Sequence, residues 1–299
     1  MNWGGTNSEL FFAGVVNPGH ASQRDPPIGL TTPNHWAQKR RIWSIITTMK
    51  NMVDTERAIS LIRKSNRIMA LSGAGISTEA GIPDFRGPGG MWEDSSLMEQ
   101  LSLSGFRRDP EGFYQANLKL FSHIRSAEPT LTHRLLAWLE ELGKIEAVVT
   151  QNIDGLHTAA GSKKVFELHG TYRTGHCLEC LRSFEMAGFY DEISKGVLKV
   201  PLCPSCRVPV KPDIVLFEDL LPVDAWQGSV AAVENCDLML ILGSSLVVYP
   251  AAELPMIGVT NGTPLVIVNL EETCYDGMAE VTIRAKLGDF SLRALAAFT

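Results

Sequence analysis

Apolar positions along this chain fall into short runs separated by segments of helical period. Ile68-Met69-Ala70-Leu71 is a run short enough for a buried strand, and a segment from Asp54 precedes it in which Ala58, Ile59, Leu61 and Ile62 recur at helical spacing. From Thr130 the pattern Leu131, Leu135, Leu136, Leu139 and Leu142 recurs at helical spacing, stops at Gly143 and is followed by the β-branched run Val148-Val149-Thr150. Val165 to Leu168, Leu238 to Leu242 and Leu265 to Val268 are further short apolar runs. Strands alternating with helices in this way predict an α/β fold, with a parallel sheet covered by helices on both faces.

In such sheets ligands sit beyond the carboxyl ends of the strands. The residues that follow the apolar runs are rich in chemistry: Gly73, Ala74, Gly75 and Ser77 after the first, Gln151-Asn152-Ile153-Asp154, His169-Gly170, Gly243-Ser244-Ser245 and Asn269-Leu270-Glu271. Five strand ends carrying amides, hydroxyls, an imidazole and carboxylates point to one cleft. The first of them opens GAGISTEAGIPDFRG, residues 73 to 87. Its glycines leave two accounts open. Gly73 and Gly75 suit the close approach of a pyrophosphate, but Thr78 holds the place where the strict dinucleotide fingerprint wants a third small residue. The other account is an ordinary strand-to-helix turn, in which these glycines serve local geometry and Gly81 caps a short helix.

Composition narrows the class. The chain has 299 residues, 45 % of them hydrophobic, ample for a core, and its net charge of −6 argues against a dedicated nucleic-acid binder. The longest apolar region, Leu238 to Ala252, is interrupted by Gly243, Ser244, Ser245 and Pro250, so no membrane span of ~20 apolar residues is expected. Residues 1–52 show no helical or strand periodicity over most of their length and read as a poorly ordered N-terminal extension, with a basic cluster at Lys39-Arg40-Arg41. They lack a secretory apolar core; organellar targeting stays open, and a translation start at Met49 or Met52 is the preferred account. A cytoplasmic protein is expected.

Four of the six cysteines form Cys177-x-x-Cys180 and Cys203-x-x-Cys206, with 22 residues between the pairs. That spacing suits a closed tetrahedral zinc site of four thiolates, which leaves no position for water or substrate and so predicts a structural metal. Cys236 and Cys274 flank core strands and are expected to be buried small apolar residues.

With these residues in place, the chain resembles the sirtuins, NAD-dependent protein deacylases, from about residue 54 to 299. The resemblance rests on GAGIS with GIPDFRG, TQNID at 150–154, HG at 169–170, the two cysteine pairs and GSSLVVYPA at 243–251. It implies a Rossmann-like NAD-binding domain (53–86, 126–170 and 210–299) and a small domain made of a helical insertion (87–125) and a zinc module (171–209). NAD and an acyl-lysine protein or peptide would meet between them. The implied NAD contacts are Gly73, Ala74, Gly75, Ser77, Asp84, Phe85, Arg86, Gln151, Asn152, Ile153, Asp154, Gly243, Ser244, Ser245, Asn269, Leu270 and Glu271, with Leu287 near the adenine.

The implied reaction breaks the nicotinamide glycosidic bond, lets the acyl oxygen take the ribose carbon and passes the acyl group to a ribose hydroxyl. His169 suits the base this needs, because an imidazole titrates near pH ~6.5. A lone histidine at a strand end is more often a structural hydrogen-bonder. Asn152 and Asp154 can hold the nicotinamide carboxamide and position ribose or water; in isolation they would read as turn formers. Phe85 could shield the reactive sugar face, and Arg86 could pair with the pyrophosphate.

Two departures from the family stand out. The Phe-Gly-Glu segment that pairs with substrate reads Val215-Leu216-Phe217-Glu218-Asp219, so Glu218 puts a side chain where a glycine is usual; a preference for basic residues flanking the acyl-lysine follows as an expectation. Where desuccinylases carry Tyr and Arg three residues apart, this chain has Tyr114 and Asn117, which predicts neutral acyl groups such as acetyl. Rival readings are a mono-ADP-ribosyltransferase or NAD glycohydrolase using the same site, and a non-catalytic NAD or ADP-ribose binding module.

Overall fold

The computed structural model describes residues 33–84 and 99–298, with the side chains of residues 33–48 left aside. Two compact units divide the chain, residues 1–45 and 46–299. All that follows concerns the second, apart from the start of the first helix.

Two sheets are built from strands β1 Ile68–Ser72, β2 Ile145–Thr150, β3 Val165–Glu167, β4 Gly170–Cys177, β5 Ser183–Glu185, β6 Val210–Ile214, β7 Leu238–Leu242, β8 Leu265–Val268 and β9 Val281–Ile283. The main sheet has six parallel strands in the order β3-β2-β1-β7-β8-β9. Successive residues of the buried central strands face opposite cores. Ile68 and Ala70 face one core with Leu238, Leu240, Val266 and helix residues Ile59, Leu135 and Phe290. Met69 and Leu71 face the other with Met239, Ile241, Ile267 and helix residues Val233 and Leu254. Both faces are therefore apolar and covered, and the strands read as unbroken hydrophobic runs.

Register explains why the strand ends act together. Ser72 at the end of β1 pairs with Thr150 of β2 and Leu242 of β7. Thr150 pairs with Glu167, and Leu242 with Val268. The five loops thus leave the sheet at one level. The chain runs outward from β1 to β2 on one side and continues at β7 on the other, so a crevice opens at this switch point.

The second sheet is antiparallel and ordered β5-β4-β6. Its core joins Met186, Tyr190, Val210 and Ile214 to Phe106, Phe113, Tyr114 and Phe121 from the helices Leu103–Arg108 and Pro110–Ser126. Residues 210–214, expected in the large domain, belong to this small sheet: β6 runs antiparallel to β4, pairing Lys211 with His176 and Val210 with Cys177.

The first helix, Pro33–Lys64, begins well before the expected start at Asp54 and takes in part of the segment read as a poorly ordered extension. Residues such as Ala37, Gln38, Lys39 and Arg40 favour helix by propensity but form no single apolar stripe, so periodicity could not reveal them. Asn51 anchors its later turns to the sheet: the side-chain amide donates to Arg284 O at 2.7 Å. Residues 1–32 lie outside the described residues. Among the described residues no helix is long and apolar enough to cross a membrane.

Candidate active site

Every described residue expected to contact NAD lines a single cleft of about 1110 Å³. That volume exceeds the ~300–1,000 Å³ range usual for one small ligand and leaves room for two. Phe85 and Arg86 lie outside the described residues. Asn117 and Glu79 line the cleft too, as do Trp226, Gln227, Leu120 and Lys286; no motif marked these last four, because they project from helices and connecting turns whose sequences carry only core periodicity.

The glycines act on each other. A Cβ on Gly73 would sit 2.8 Å from Gly243 O, one on Gly75 2.8 Å from Gly243 Cα, and one on Gly243, at φ +62°, 2.7 Å from Gly75 C. The first and fourth loops are therefore pressed together backbone to backbone, with Gly75 N donating to Gly243 O at 2.9 Å. Local geometry, the plainer of the two accounts of Gly73 and Gly75, is fully sufficient for them.

Side chains tie the other loops to this floor. Asn152 Nδ2 donates to Gly73 O at 3.2 Å and to Ser77 Oγ at 3.1 Å, while Ser77 Oγ donates to Asp154 Oδ2 at 2.7 Å. Asp154 Oδ1 accepts from Leu156 N at 2.9 Å. Burial raises the Asp154 carboxyl above its usual range, and the Ser77, Leu156 and Asn152 donors oppose that rise. Gln151 Nε2 donates to Ser244 Oγ at 2.8 Å.

His169 stands at the cleft wall with Nδ1 2.8 Å from Gln151 O. A carbonyl only accepts, so the neutral ring carries its proton on Nδ1 and leaves Nε2 as the base. Burial lowers the His169 pKa, partly opposed by that carbonyl, which keeps the ring neutral around pH 7. Gly170 is obligatory next to it: φ is +73°, and a Cβ would lie 1.9 Å from Asp213 O.

The substrate residues divide. Val215, Phe217 and Glu218 line the cleft. Val215 N donates to His169 O at 2.8 Å and Phe217 N to Leu101 O at 2.9 Å. Glu218 keeps the left-handed backbone of the glycine it replaces, φ +76°, at a cost of roughly 1–2 kcal/mol. Its carboxylate offsets this by accepting from Ser104 N at 2.9 Å and Ser104 Oγ at 3.0 Å. Both oxygens thus accept from neutral donors, and the carboxylate stays exposed at the cleft with its charge. Tyr114 is corrected: it is fully buried and its hydroxyl donates to Val210 O at 2.7 Å, so it belongs to the core of the second sheet rather than to the cleft. Burial pushes its pKa far upward. Asn117 does reach the cleft, with its amide donating to Phe113 O at 2.9 Å.

The four cysteines meet. Their sulfurs lie within 4.8 Å of one another, and Cys180 Sγ is 3.7 Å from Cys203 Sγ. A tetrahedron with metal–sulfur bonds of ~2.3 Å has edges of about 3.8 Å. The two pairs form matching knuckles. Leu181 N donates to Cys177 O at 3.0 Å and Arg207 N to Cys203 O at 2.9 Å, and both residues have φ +58°. The four cysteines fit a structural zinc. Of the remaining two cysteines, Cys236 is buried as expected, but Cys274 is exposed because it sits in the loop between Val268 and β9 rather than against a strand.

The Sir2 family sequence profile matches residues 73–250, more than half of the chain. The chain belongs to the Sir2 family. It is 43 % identical over 237 residues to an NAD-dependent protein deacetylase of Thermotoga maritima, an alignment covering 79 % of this chain and 95 % of that protein. Over 237 residues it is 40 % identical to NAD-dependent protein deacylase 2 of Archaeoglobus fulgidus, covering 79 % and 92 %. Among solved structures, a Sir2 complex with p53 peptide and NAD+ superposes with a TM-score of 0.75 at 42 % identity, covering 81 % of this chain and 97 % of that one. A Sir2 variant bound to deacetylated p53 peptide and 3′-O-acetyl ADP-ribose superposes with a TM-score of 0.76 at 43 % identity, over 81 % and 97 %.

Proposed function

We propose that this Sir2 protein is an NAD-dependent protein lysine deacetylase that cleaves NAD to nicotinamide and transfers the acyl group to ADP-ribose. The observation that carries the reading is the juxtaposition of a neutral His169, with Nε2 as its base, and the Asn152–Ser77–Asp154 network in one cleft at the sheet's switch point. NAD supplies the ribose carbon and hydroxyls of the reaction. His169 accepts a ribose hydroxyl proton at Nε2. Asn152 and Asp154 orient the nicotinamide end, and Ser244, Ser245, Asn269 and Glu271 hold the remainder of the dinucleotide. Leu287, buried at the start of the last helix and lining the cleft, packs near the adenine.

An acyl-lysine chain enters beside Val215 and Phe217. The adjoining wall is apolar, from Ile82, Leu120, Ile124 and Ile214, and Asn117 brings no positive charge to it, so a neutral acyl group is favoured over a succinyl group. A reducing, cytoplasmic setting fits the thiolate metal site.

The test is incubation of the purified protein with acetyl- and succinyl-lysine peptides, with and without NAD, followed by mass spectrometry. Acetylated ADP-ribose formed faster from the acetyl peptide supports the reading. Free or protein-linked ADP-ribose as the main product would instead assign glycohydrolase or ADP-ribosyltransferase activity. Binding of NAD without turnover would leave a binding module.

A further inference from the structure

Directly behind the catalytic loops lies a buried polar chain that the reaction as described does not use. His157, 1 % exposed, opens it with Nε2 2.8 Å from Ser72 Oγ. Ser72 Oγ donates to Thr150 Oγ1 at 2.9 Å, and Thr150 Oγ1 accepts from Asn152 N at 3.1 Å. Ser72 and Thr150 are the last residues of adjacent strands, so three hydrogen bonds join a helix in the core to the backbone of Asn152.

A second histidine backs the first. His133, fully buried, lies with its ring centre 4.6 Å from that of His157. Its Nδ1 accepts from Thr130 N at 3.2 Å, which puts its proton on Nε2. With Nε2 of His157 donating to Ser72, its Nδ1 is a lone pair. His133 Nε2 and His157 Nδ1 make no hydrogen bond to each other or to any other described residue; the two rings meet edge to face. Burying polar ring atoms without partners is costly, which leaves the Ser72 contact as the hydrogen bond that holds the His157 ring.

We propose that His157, backed by His133, is a positioning residue for the reaction: through the Ser72 and Thr150 hydroxyls it fixes the backbone of Asn152 and hence the Asn152–Ser77–Asp154 network. The inference rests on the deacetylase reading for its kinetic consequence, but not for its structural one. A loose Asn152 backbone would let its amide leave Gly73 O and Ser77 Oγ, and misplacement of a group that orients a reacting bond is felt in kcat.

The experiment compares His157→Phe, His157→Gln and Ser72→Ala, all in the full-length zinc-loaded chain. A phenylalanine keeps the ring volume and removes the hydrogen bond; a glutamine amide can still donate to Ser72 Oγ. With acetyl-lysine peptide and saturating NAD, the Phe and Ala variants should lose kcat about tenfold, the rate equivalent of one net hydrogen bond, with peptide KM within about twofold. Glutamine should recover most of it. In the same proteins without ligand, hydrogen–deuterium exchange over residues 150–154 should be faster for Phe and Ala and normal for Gln. Unchanged kcat, a loss confined to peptide KM, glutamine no better than phenylalanine, or unaltered exchange would overturn the inference. Should His157→Phe not fold, Ser72→Ala, which removes one hydroxyl, decides it. Absence of turnover in the wild-type chain would refute the deacetylase reading, and exchange alone would then decide the positioning role.

Discussion

Acidification should unfold this protein through two histidines outside the cleft. Burial lowers the His133 pKa to about 4 and that of His157 well below its ordinary value. Both rings are therefore neutral in the folded state near pH 5, whereas in the unfolded chain each takes up a proton near pH ~6.5. Protons bind the unfolded state preferentially, so stability is intact above pH ~6.5 and falls as pH drops below it. For the folded His133 pKa of about 4, the loss between pH 7 and pH 5 is about 2 kcal/mol, and His157, shifted the same way by burial, adds to it. Against a typical total of ~5–15 kcal/mol that is a large share. The assay is urea unfolding at pH 7, 6 and 5 for the wild type, His157→Gln and His133→Asn/His157→Gln. Carboxylates and zinc thiolates titrate alike in all three and cancel in the comparison of slopes. The single variant should lose less stability than wild type over this range, and the double variant less again by about 2 kcal/mol, the share of His133. Equal losses in all three would show that these rings are not held neutral by burial.

Three further outcomes follow from the site. Because burial lowers the His169 pKa, the acid limb of kcat/KM should fall below pH ~6.5, and a limb above that value would remove His169 as the titrating base. Metal analysis should give one zinc per chain, with Cys177→Ser losing the metal and the small domain's fold; a metal-free wild type with a normal melting curve would refute the structural site. Gly243→Ala places a side chain at φ +62° with its Cβ 2.7 Å from Gly75 C. Its melting temperature should fall by several degrees, from a left-handed penalty of roughly 1–2 kcal/mol plus the clash, and stabilisation by NAD should be lost; retention of both would mean that the two loops part easily.

What the sequence revealed and what it hid have physical reasons. Strands β1, β2, β3, β7 and β8 were legible because a parallel sheet buried on both faces needs unbroken apolar runs, and the chemistry was legible because it follows those runs directly. β9, Val281–Ile283, went unseen because it forms no apolar run: Thr282 separates its two apolar residues, and Glu280 and Arg284 flank them. The small sheet was hidden by its composition: β6 reads Val-Lys-Pro-Asp-Ile, and its lysine is buried through contacts far from obvious in sequence, with Lys211 Nζ donating to Ile214 O at 2.7 Å and pairing with Asp219 at 2.8 Å. Tyr114 misled for a related reason. A helical position fixes which face a residue occupies only when the neighbour is known, and here the neighbour was the unseen sheet.

Thr78 explains why the opening glycine loop is not a hydride-transfer fingerprint with a defect. In that fingerprint a third glycine lets a long helix pack closely on the strand. Here no long helix follows: Ala74–Ile76 and Thr78–Ala80 are two single 3-10 turns, and Gly81 at φ +83° ends the second. Thr78 is exposed, and its hydroxyl donates back to Gly75 O at 3.0 Å. Nothing at this position demands a small residue. What replaces the helix is the Gly243 loop, pressed against Gly73 and Gly75 where a helix N-terminus would otherwise begin. The short turns free Ser77 to reach Asp154 and free the chain to enter the cleft at Asp84. A long helix would have carried those residues away from the second strand, and with them the network that links the glycine loop to Asn152.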